Sequence, residues 1–395
     1  MKTVYDALDP IVNGSATTKE KGDKYEAACV YYLKNDPFYA LFFSRVGTIA
    51  QALEWDDCPV HDTQDNGIDL MAQTAEAGEW WAIQCKCYDG EKDLPKGICD
   101  SFFAHAAFID GVDSLMVMTT AKGPGKNLQK QIDASGSMYI DTAKMAASNI
   151  DWTPFIEGVP AGERVTYDLR SHQERAVAAI EEKWAEFDRC KAIMACGTGK
   201  TLMSLRLVED WIGPAAGTIL FCAPSISLVG QSMREWMGQS RVPMSSLVVC
   251  SDSKASRKDD VIPMTLDSFE YPATTNPESL YRSFKRCRRS NPDGLVVIFS
   301  TYQSIGVIHD AQTLGMSEFD VVVCDEAHRT TGNALPGVSK TEASAFMKIH
   351  FNENVAAKKR LYMTATPRIY GETAKRKGAE EDYTIASMDD ESIYE

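Results

Sequence analysis

Apolar residues in the second half of the chain form short continuous runs, and the runs do not alternate with polar positions. They occupy residues 219–223, 295–300, 321–324 and 361–364, and stretches with helical periodicity separate them. Continuous apolar runs are typical of strands that are covered on both faces, as in parallel sheets. The pattern therefore predicts a parallel α/β domain whose chemistry lies at the carboxyl ends of its strands.

The first part of the chain has a different pattern, in which polar and apolar residues alternate. The sequence predicts two strands, at 68–72 and 80–87, and the turn-rich residues 62–67 precede the first of them. With a period of two, Trp81, Ile83 and Cys85 share a buried face of the second strand, and the opposite face is polar. A helix beginning near Lys21 comes earlier, and its predicted core-facing residues are Tyr25, Ala28, Cys29 and Tyr32.

Three polar side chains on these strands form a candidate cleavage site. If the strands pair as a hairpin, Asp69 converges with Gln84 and Lys86 on the polar face. The Asp69 carboxylate and the Gln84 side-chain oxygen suit Mg²⁺, and the Lys86 amine can orient a water or offset charge on a phosphorane-like transition state. The pattern resembles the Mrr-like form of the PD-(D/E)xK nuclease core, whose last motif is QxK. This resemblance implies a DNA endonuclease with these three catalytic residues and with Asp69 and Gln84 as metal ligands.

The further acid of such a nuclease can come from more than one place. Glu26 lies beside the core-facing stripe of the early helix, and the resemblance implies it as the additional catalytic acid. Asp62 and Asp65, in the turn before the first strand, are the alternatives. The competing interpretation of the whole segment is an ordinary amphipathic hairpin with solvated charges.

A glycine-containing loop follows the apolar residues 191–195 and precedes an apolar helix. Its sequence is GTGKT, and Met194 stands where the pattern GxxxxGK[ST] has its first glycine. Such a loop turns its N–H groups toward an anion, while Lys200 reaches the outer phosphates and the Thr201 hydroxyl binds Mg²⁺. The predicted nucleotide-binding residues of this loop are Gly197, Thr198, Gly199, Lys200 and Thr201.

A second motif, DEAH, ends the predicted strand at 321–324. Asp325 can hold the Mg²⁺ of Mg-ATP, and Glu326 can polarise the water that attacks the γ-phosphate. His328 is placed to sense the nucleotide together with the strand end at 364–366. Gln173, in the first turn of a helix ahead of the phosphate loop, has the donors and acceptor needed to read the adenine edge.

Together these motifs resemble the first RecA-like domain of a superfamily 2 helicase or translocase. Residues 223–231 and 300–304 resemble the two loops that contact a nucleic-acid strand in that family. The resemblance implies an α/β fold class with three parts: an Mrr-like PD-(D/E)xK nuclease domain at 1–165, a RecA-like P-loop NTPase domain at 166–370, and a linker at 371–395 toward a second RecA-like domain.

A nuclease fused to such a motor resembles the N-terminal part of a Type ISP single-chain restriction-modification enzyme. That family implies double-stranded DNA as substrate, ATP and Mg²⁺ as cofactors, and S-adenosylmethionine only in parts further downstream. The implied partners are the second RecA-like domain, a methyltransferase and a target-recognition domain, in cis or in trans. Two alternatives stay open: the motor subunit of a Type I restriction complex, and an ATP-dependent DNA-remodelling module whose nuclease domain is inactive.

Composition changes this picture at two points. The 395 residues carry a formal net charge of −15, so DNA contacts are expected from local basic clusters only. These clusters are Arg282, Lys285, Arg286, Arg288 and Arg289, and Lys358, Lys359 and Arg360. The eleven cysteines are scattered, and no apolar run approaches the roughly 20 residues of a membrane helix. The sequence therefore predicts a cytoplasmic protein without a membrane partner.

Overall fold

The computed structural model describes residues 2–61, 67–75, 78–106, 108–148, 150–160, 166–250, 273–331, 346–371 and 387–394. Contacts between residues divide the chain into two compact units, Met1–Arg164 and Val165–Glu395. Each unit is built around one sheet.

The first unit has a mixed sheet of five strands in the order β1-β2-β3-β4-β5. The strands are β1 (Phe43–Thr48), β2 (Leu70–Thr74), β3 (Trp80–Lys86), β4 (Val112–Thr119) and β5 (Met138–Ile140). β2 runs antiparallel to both β1 and β3, and β4 and β5 run parallel to β3. The helices are α1 (Val4–Gly14), α2 (Thr18–Asn35), α3 (Tyr39–Phe42), α4 (Ile49–Ala52), α5 (Asp100–Ala106), α6 (Lys126–Ser135), α7 (Thr142–Ala147) and α8 (Thr153–Glu157).

Helix α2 covers the central strand of this sheet. It begins after Thr17, whose hydroxyl accepts a hydrogen bond from the Glu20 N–H and so satisfies one free donor of the first turn. The predicted core stripe is confirmed, because Tyr25, Ala28, Cys29 and Tyr32 are all fully buried. The predicted hairpin is confirmed as well, with Leu70 opposite Ile83 in the antiparallel pair β2–β3.

The opposite face of β3 is also covered, which corrects the prediction of a polar face. Trp80 and Ala82 share that face with Gln84, and they pack into a core cluster with Phe102 of α5. Gln84 is consequently only 1% exposed. Alternation along the strand separated the two faces correctly, but it did not show that a helix covers the second one.

The second unit has a parallel sheet of six strands in the order β6-β11-β10-β7-β9-β8. The strands are β6 (Arg189–Ile193), β7 (Gly217–Ala223), β8 (Met244–Val249), β9 (Leu295–Thr301), β10 (Phe319–Cys324) and β11 (Ala357–Thr364). The helices are α9 (Ser171–Glu186), α10 (Lys200–Ile212), α11 (Ile226–Gln239), α12 (Pro277–Ser290), α13 (Ile305–Thr313) and α14 (Glu391–Tyr394). The parallel sheet predicted from the continuous apolar runs is confirmed, and all residues of β7 and β9 are buried.

Strand order brings three strand ends together at one edge of this sheet. β11 lies between β6 and β10, although it is the last strand in sequence. The backbone N–H of Met194, just after β6, donates to the carbonyl of Thr364 at the end of β11 (2.9 Å). The phosphate loop, the DEAH segment and the segment after β11 therefore start side by side.

Residues 387–394, within the segment predicted to be a linker, pack against this unit. Arg189 donates to the carbonyl of Ile393 (3.1 Å), and Lys191 donates to the carbonyl of Met388 (3.1 Å). The Tyr394 hydroxyl lies 2.9 Å from Thr330 Oγ1 in a buried network. The domain boundaries themselves stay predictions.

Candidate active sites

The candidate nuclease site is built where β2 begins and β3 ends. Asp69 immediately precedes β2, and its Oδ2 accepts a short hydrogen bond from the Cys85 N–H (2.6 Å). Lys86 ends β3 and places its Nζ 3.8 Å from the same oxygen. The two charged groups predicted from the hairpin therefore lie together, and both are partly open to solvent with side-chain exposures of 30% and 21%.

Glu26 of α2 faces this pair. Burial, followed by the negative charges of Asp69 and Asp23, raises the pKa of Glu26 to about 7, and the Lys86 ammonium acts in the opposite direction. The influence of Asp69 on the pKa of Glu26 indicates that the two carboxylates lie close enough to repel each other. A divalent cation between them would relieve the repulsion, because opposite charge favours the ionised form of both acids.

Gln84 contributes a buried amide to the same strand end. Neither Oε1 nor Nε2 has a hydrogen-bond partner among the described residues, although the side chain is buried. A buried amide without partners is costly, and such a group in a native protein requires an explanation. A divalent cation would give this oxygen a partner, and Asp69, Gln84 and Glu26 all carry the oxygen donors that a hard divalent metal prefers. The alternative acids, Asp62 and Asp65, lie outside the described residues.

The phosphate loop connects β6 to α10 through residues with left-handed backbone conformations. Gly197 has φ +74° and Gly199 has φ +76°. A Cβ on Gly199 would lie only 2.4 Å from Gln173 Nε2, so the Gln173 side chain would have to move, and the positive φ disfavours any residue with a side chain there. Glu326 is the one non-glycine residue with positive φ in the described part of the chain, so Met194 has an ordinary conformation. The loop therefore does not require glycine at that position.

The remaining predicted residues of the loop lie at the beginning of α10. Lys200 opens the helix, and its Nζ is 3.5 Å from the Met194 carbonyl, which is at the limit of a hydrogen bond. Thr198 Oγ1 donates to the Ala195 carbonyl (2.7 Å) and closes the turn. Thr201 follows Lys200 in the first turn, where free N–H groups attract anions.

Gln173 is buried against this loop. Its Nε2 donates to the carbonyls of Thr198 (3.1 Å) and Gly199 (3.0 Å), and its Oε1 accepts from the Arg170 N–H (2.7 Å). Both ends of the amide are thus used within the protein in this conformation. The contacts support a role of Gln173 in shaping the loop, and its predicted contact with adenine stays a prediction.

Asp325 lies at the end of β10, opposite the phosphate loop. Burial, followed by the charge of Glu326, raises the pKa of Asp325 to about 6, whereas the charge of Lys200 lowers it. The influence of Lys200 on the pKa of Asp325 agrees with the strand order, which brings the phosphate loop and the end of β10 to the same edge of the sheet. The Asp325 backbone is fixed by hydrogen bonds from its N–H to the Cys222 carbonyl and from the Tyr302 hydroxyl to its carbonyl, both 2.8 Å.

The next residues of the DEAH segment connect this site to β11. Glu326 has φ +48°, a conformation that costs free energy for a residue with a side chain and recurs at functional sites. His328 Nδ1 lies 3.0 Å from Thr364 Oγ1 and 3.4 Å from Glu326 Oε2. Burial lowers the pKa of His328, partly offset by Glu326. His328 therefore contacts both the predicted catalytic acid and the end of β11.

Two residues of α11 that the sequence reasoning missed also reach this site. Trp236 Nε1 donates to the carbonyl of Thr201 (3.1 Å). Burial, followed by the charge of Asp325, raises the pKa of Glu235, and the backbone of Leu202 acts in the opposite direction. The available signal was an acidic residue directly beside a buried tryptophan on an otherwise apolar helix stripe.

Comparison with known proteins assigns both units. Residues 166–369, about half of the chain, match the family model described as "Type III restriction enzyme, res subunit". This chain belongs to that family. Residues 34–161 match a second model, described as "Restriction endonuclease", and Glu26 precedes the matched range. The res-subunit chain thus combines a nuclease domain with a RecA-like helicase domain, and the predicted fold class is confirmed.

The solved structure of LlaBIII and the curated relatives agree with this assignment. The structure described as "ATP-dependent Type ISP restriction-modification enzyme LlaBIII bound to DNA" is 32% identical with a TM-score of 0.79, and the match covers 98% of this chain and 24% of that one. A nuclease-deletion mutant of the Type ISP enzyme LlaGI in complex with a DNA substrate mimic is 35% identical with a TM-score of 0.44, covering 58% of this chain and 19% of that one. "Probable helicase A859L" of African swine fever virus is 28% identical over 205 residues, which are 52% of this chain and 20% of the relative.

The basic clusters of this res-subunit chain are largely occupied by structural contacts. Arg288 donates to the carbonyls of Gly294 and Gly217 and to Thr218 Oγ1. Lys359 donates to two backbone carbonyls at the end of α9, and Arg360 is fully buried among loop carbonyls. Arg288, Lys359 and Arg360 therefore hold parts of the protein together, and the contact of these clusters with DNA stays a prediction. On α12, Arg282, Lys285 and Arg289 are exposed. Within the described ranges, every helix is too short or too polar to span a lipid bilayer.

Proposed function

We propose that this chain cleaves DNA with its first unit and moves along double-stranded DNA by ATP hydrolysis with its second, as part of a Type ISP restriction-modification enzyme. The observation that carries the proposal is the likeness to LlaBIII, which extends over 98% of this chain and therefore over both units at once. A helicase relative alone would explain only residues 166–369.

In the nuclease unit, Asp69 and Gln84 would hold Mg²⁺, with Glu26 as the further acid. The ion supplies Lewis-acid stabilisation of charge on the phosphate. The Cys85 N–H orients the Asp69 carboxylate, since it binds Oδ2 at 2.6 Å. Lys86, 3.8 Å from that oxygen, brings a positive charge to the place where negative charge develops and where a water must be oriented.

In the motor unit, the loop residues Gly197 to Thr201 would bind the phosphates of ATP. Lys200 compensates their charge, and Thr201 and Asp325 would hold Mg²⁺, which would neutralise negative charge on the phosphates. Glu326 orients the attacking water. His328, through its 3.0 Å contact with Thr364, passes the state of the site to the segment after β11.

The remaining partners belong to the longer relatives. This chain spans about a quarter of the LlaBIII chain that it matches. We therefore propose that a second RecA-like domain, a methyltransferase with its S-adenosylmethionine, and a target-recognition domain act together with this chain, in cis or in trans.

Plasmid nicking tests the nuclease part of the proposal. With Mg²⁺ and ATP, the unmodified protein should nick supercoiled plasmid, while Asp69→Asn and Lys86→Ala should lose at least about 100-fold, the range expected when a metal ligand or a charge-stabilising group is removed. Asp100→Asn, an exposed acid on α5, is the matched control and should nick normally. Equal nicking by all four proteins would refute the site. No nicking by any of them, with ATP turnover intact, would favour the remodelling module with an inactive nuclease.

A nucleotide-binding experiment tests the motor part. Lys200→Ala should abolish detectable ATP binding and turnover, because the phosphate charge then lacks its counterion. Lys348→Ala removes a lysine from the same unit away from the loop and should leave binding unchanged. Unchanged affinity and turnover in Lys200→Ala would contradict the phosphate-loop assignment.

A further inference from the structure

Residues 387–394, which we call the strap, contact three segments that lead into or out of the predicted ATP site. The first is β6, which continues into the phosphate loop, and its Arg189 and Lys191 each donate to a backbone carbonyl of the strap at 3.1 Å. The second is the chain that follows β11, where the carbonyl of Arg368 accepts the Met388 N–H at 3.0 Å. The strap therefore joins the strand before the phosphate loop to the chain after β11.

The third segment is the turn that forms the end of the DEAH motif. Thr330 ends the 3₁₀ turn Ala327–Thr330, which carries His328, and the Thr330 side chain is fully buried. Its Oγ1 donates to the carbonyl of Ala327 at 2.8 Å and lies 2.9 Å from the Tyr394 hydroxyl of the strap. Because the Thr330 hydroxyl has one proton and gives it to Ala327, Tyr394 is the donor in the second contact. The strap thus supports the turn that carries His328 through one hydrogen bond.

His350 completes a buried network around this hydrogen bond. Burial lowers the pKa of His350 to about 4, so the ring is neutral at physiological pH and has one donor and one acceptor nitrogen. Its Nε2 lies 3.0 Å from the Thr330 carbonyl, which can only accept, and 3.2 Å from the Tyr394 hydroxyl. Its Nδ1, 3.0 Å from the Tyr362 hydroxyl of β11, is then the acceptor. A buried network of this kind is rigid, and a change at one member affects the others.

The strap has the properties of an element that can detach while the rest of the unit stays folded. Its helix, α14, is only four residues long. Among its described residues it buries three large apolar or aromatic side chains, Met388, Ile393 and Tyr394. Short segments with few buried contacts open locally at a small cost in free energy. The turn that the strap supports carries His328, which contacts Glu326 and Thr364, so a nucleotide that moves these groups also alters the contact with the strap.

We propose that the strap is a conformational device that responds to the ATP site, because Mg-ATP binding and docking of the strap favour each other. Tyr394 is the positioning residue that couples the two, through its hydrogen bond to Thr330. Such coupling is reciprocal, so detachment of the strap lowers the affinity for Mg-ATP by the factor by which Mg-ATP favours docking. This role rests on the proposed function of the phosphate loop, and it falls to a segment that the sequence patterns predict to be a linker.

Hydrogen–deuterium exchange of the full chain tests this coupling, measured without nucleotide and with a non-hydrolysable ATP analogue and Mg²⁺. The strap offers four hydrogen-bonded N–H groups as reporters, those of Met388, Asp390, Ile393 and Tyr394. In the unmodified protein, the analogue should slow exchange in the phosphate loop. It should also slow exchange in the strap by at least about 5-fold, the lower end of typical coupling between two sites. A titration with the same analogue gives its affinity.

Two variants remove the coupling hydrogen bond from either side. Tyr394→Phe keeps the ring, whose centroid lies 4.9 Å from that of His350, and Thr330→Val keeps the shape of the threonine. In each variant the phosphate loop should still respond to the analogue, while the response of the strap falls to within about twofold of none. Affinity for the analogue should fall by about 5-fold, as reciprocity requires. The double variant should be no worse than either single variant, since both remove the same interaction.

Tyr281→Phe is the matched control, because it makes the same change on α12 of the same unit. The Tyr281 ring lies 4.2 Å from Lys285 Nζ, and this variant should respond to the analogue like the unmodified protein. Thermal unfolding without nucleotide checks that every variant folds, and if Tyr394→Phe does not fold, the Thr330→Val result decides alone.

Three results would overturn the coupling in different ways. If the phosphate loop of the unmodified protein responds to the analogue and its strap does not, the strap does not sense the nucleotide. If Tyr394→Phe and Thr330→Val keep the full response of the strap, whatever their exchange rates without nucleotide, the hydrogen bond has only a structural role. If the phosphate loop of the unmodified protein does not respond, the proposed ATP site fails first and the coupling fails with it.

Discussion

Replacing Asp325 with asparagine should stabilise the metal-free protein while it abolishes productive Mg-ATP binding. Asp325 is only 8% exposed, and burial together with the neighbouring Glu326 raises its pKa from an ordinary 3.8 to about 6. The ionised carboxylate is thus unfavourable in the folded state unless a cation is present. Asparagine keeps a similar shape and an acceptor oxygen but carries no charge.

The size and sign of the effect follow from proton linkage. The folded state binds the Asp325 proton more tightly than the unfolded state, so stability falls as pH rises between about 4 and about 6. Above about pH 6 the ionised Asp325 carboxylate destabilises the folded state by its full amount. A difference of about two pKa units between the folded and unfolded states corresponds to about 3 kcal/mol. Below about pH 4 both states are protonated, and the advantage of asparagine disappears.

Thermal unfolding of both proteins at pH 4 and pH 8, in EDTA without nucleotide, measures this difference. For a unit of this size, about 3 kcal/mol corresponds to a rise of roughly 6–12 °C in Tm at pH 8. Adding Mg²⁺ and ATP should stabilise the unmodified protein and leave Asp325→Asn unchanged. The electrostatic account of this site would be wrong if Asp325→Asn were less stable than the unmodified protein at pH 8. It would also be wrong if the variant were more stable by the same amount at pH 4 and at pH 8.

Three further predictions address other parts of the chain. Burial raises the pKa of Glu26 to about 7, so the nuclease should need less Mg²⁺ at pH 8 than at pH 6. Glu26→Gln should make the Mg²⁺ requirement in a nicking assay less dependent on pH, and an unchanged pH dependence would contradict this role. Arg288→Gln should lower the free energy of unfolding in urea by about 1–3 kcal/mol, because buried carbonyls lose their donor. The salt dependence of DNA binding should not change, and a weaker salt dependence would show that Arg288 contacts DNA. Thr364→Val removes the hydrogen-bond partner of His328 and should lower the stimulation of ATP turnover by duplex DNA several-fold, with unchanged nucleotide affinity. Full stimulation in this variant would refute the proposed coupling between the ATP site and β11.

Hydrophobic patterning predicted the strands and helices well, because a buried face needs apolar residues and their spacing is visible in the sequence. The runs at 219–223 and 295–300 became strands covered on both faces, and the α2 stripe became core. Patterning could not show which element covers a given face. Gln84 was placed on a polar face, but Phe102 of α5 packs on that face and the amide is buried.

The functions of charged residues were harder to predict, because a charge in the sequence does not say what it is paired with. Arg360 looks like a DNA contact in the sequence, yet it is fully buried and donates to the carbonyls of Ile349 and Val355. Trp236 belongs to no motif, and only the contact between α11 and α10 shows that its indole donates to the carbonyl of Thr201 in the phosphate-loop helix. Such assignments depend on contacts between distant segments, which single-sequence periodicity does not contain.

The position of β11 between β6 and β10 has a consequence for how the second unit is made. β6, which leads into the phosphate loop, pairs among the described strands only with β11, and Arg189 lies opposite Arg360 in that pair. During synthesis, the loop's supporting strand therefore has no neighbour until the last strand of the sheet has left the ribosome. Pairing over such a long separation is slow, because the intervening chain must be ordered first. We expect nucleotide-binding competence to appear late in folding, after β7, β9 and β10 have already assembled.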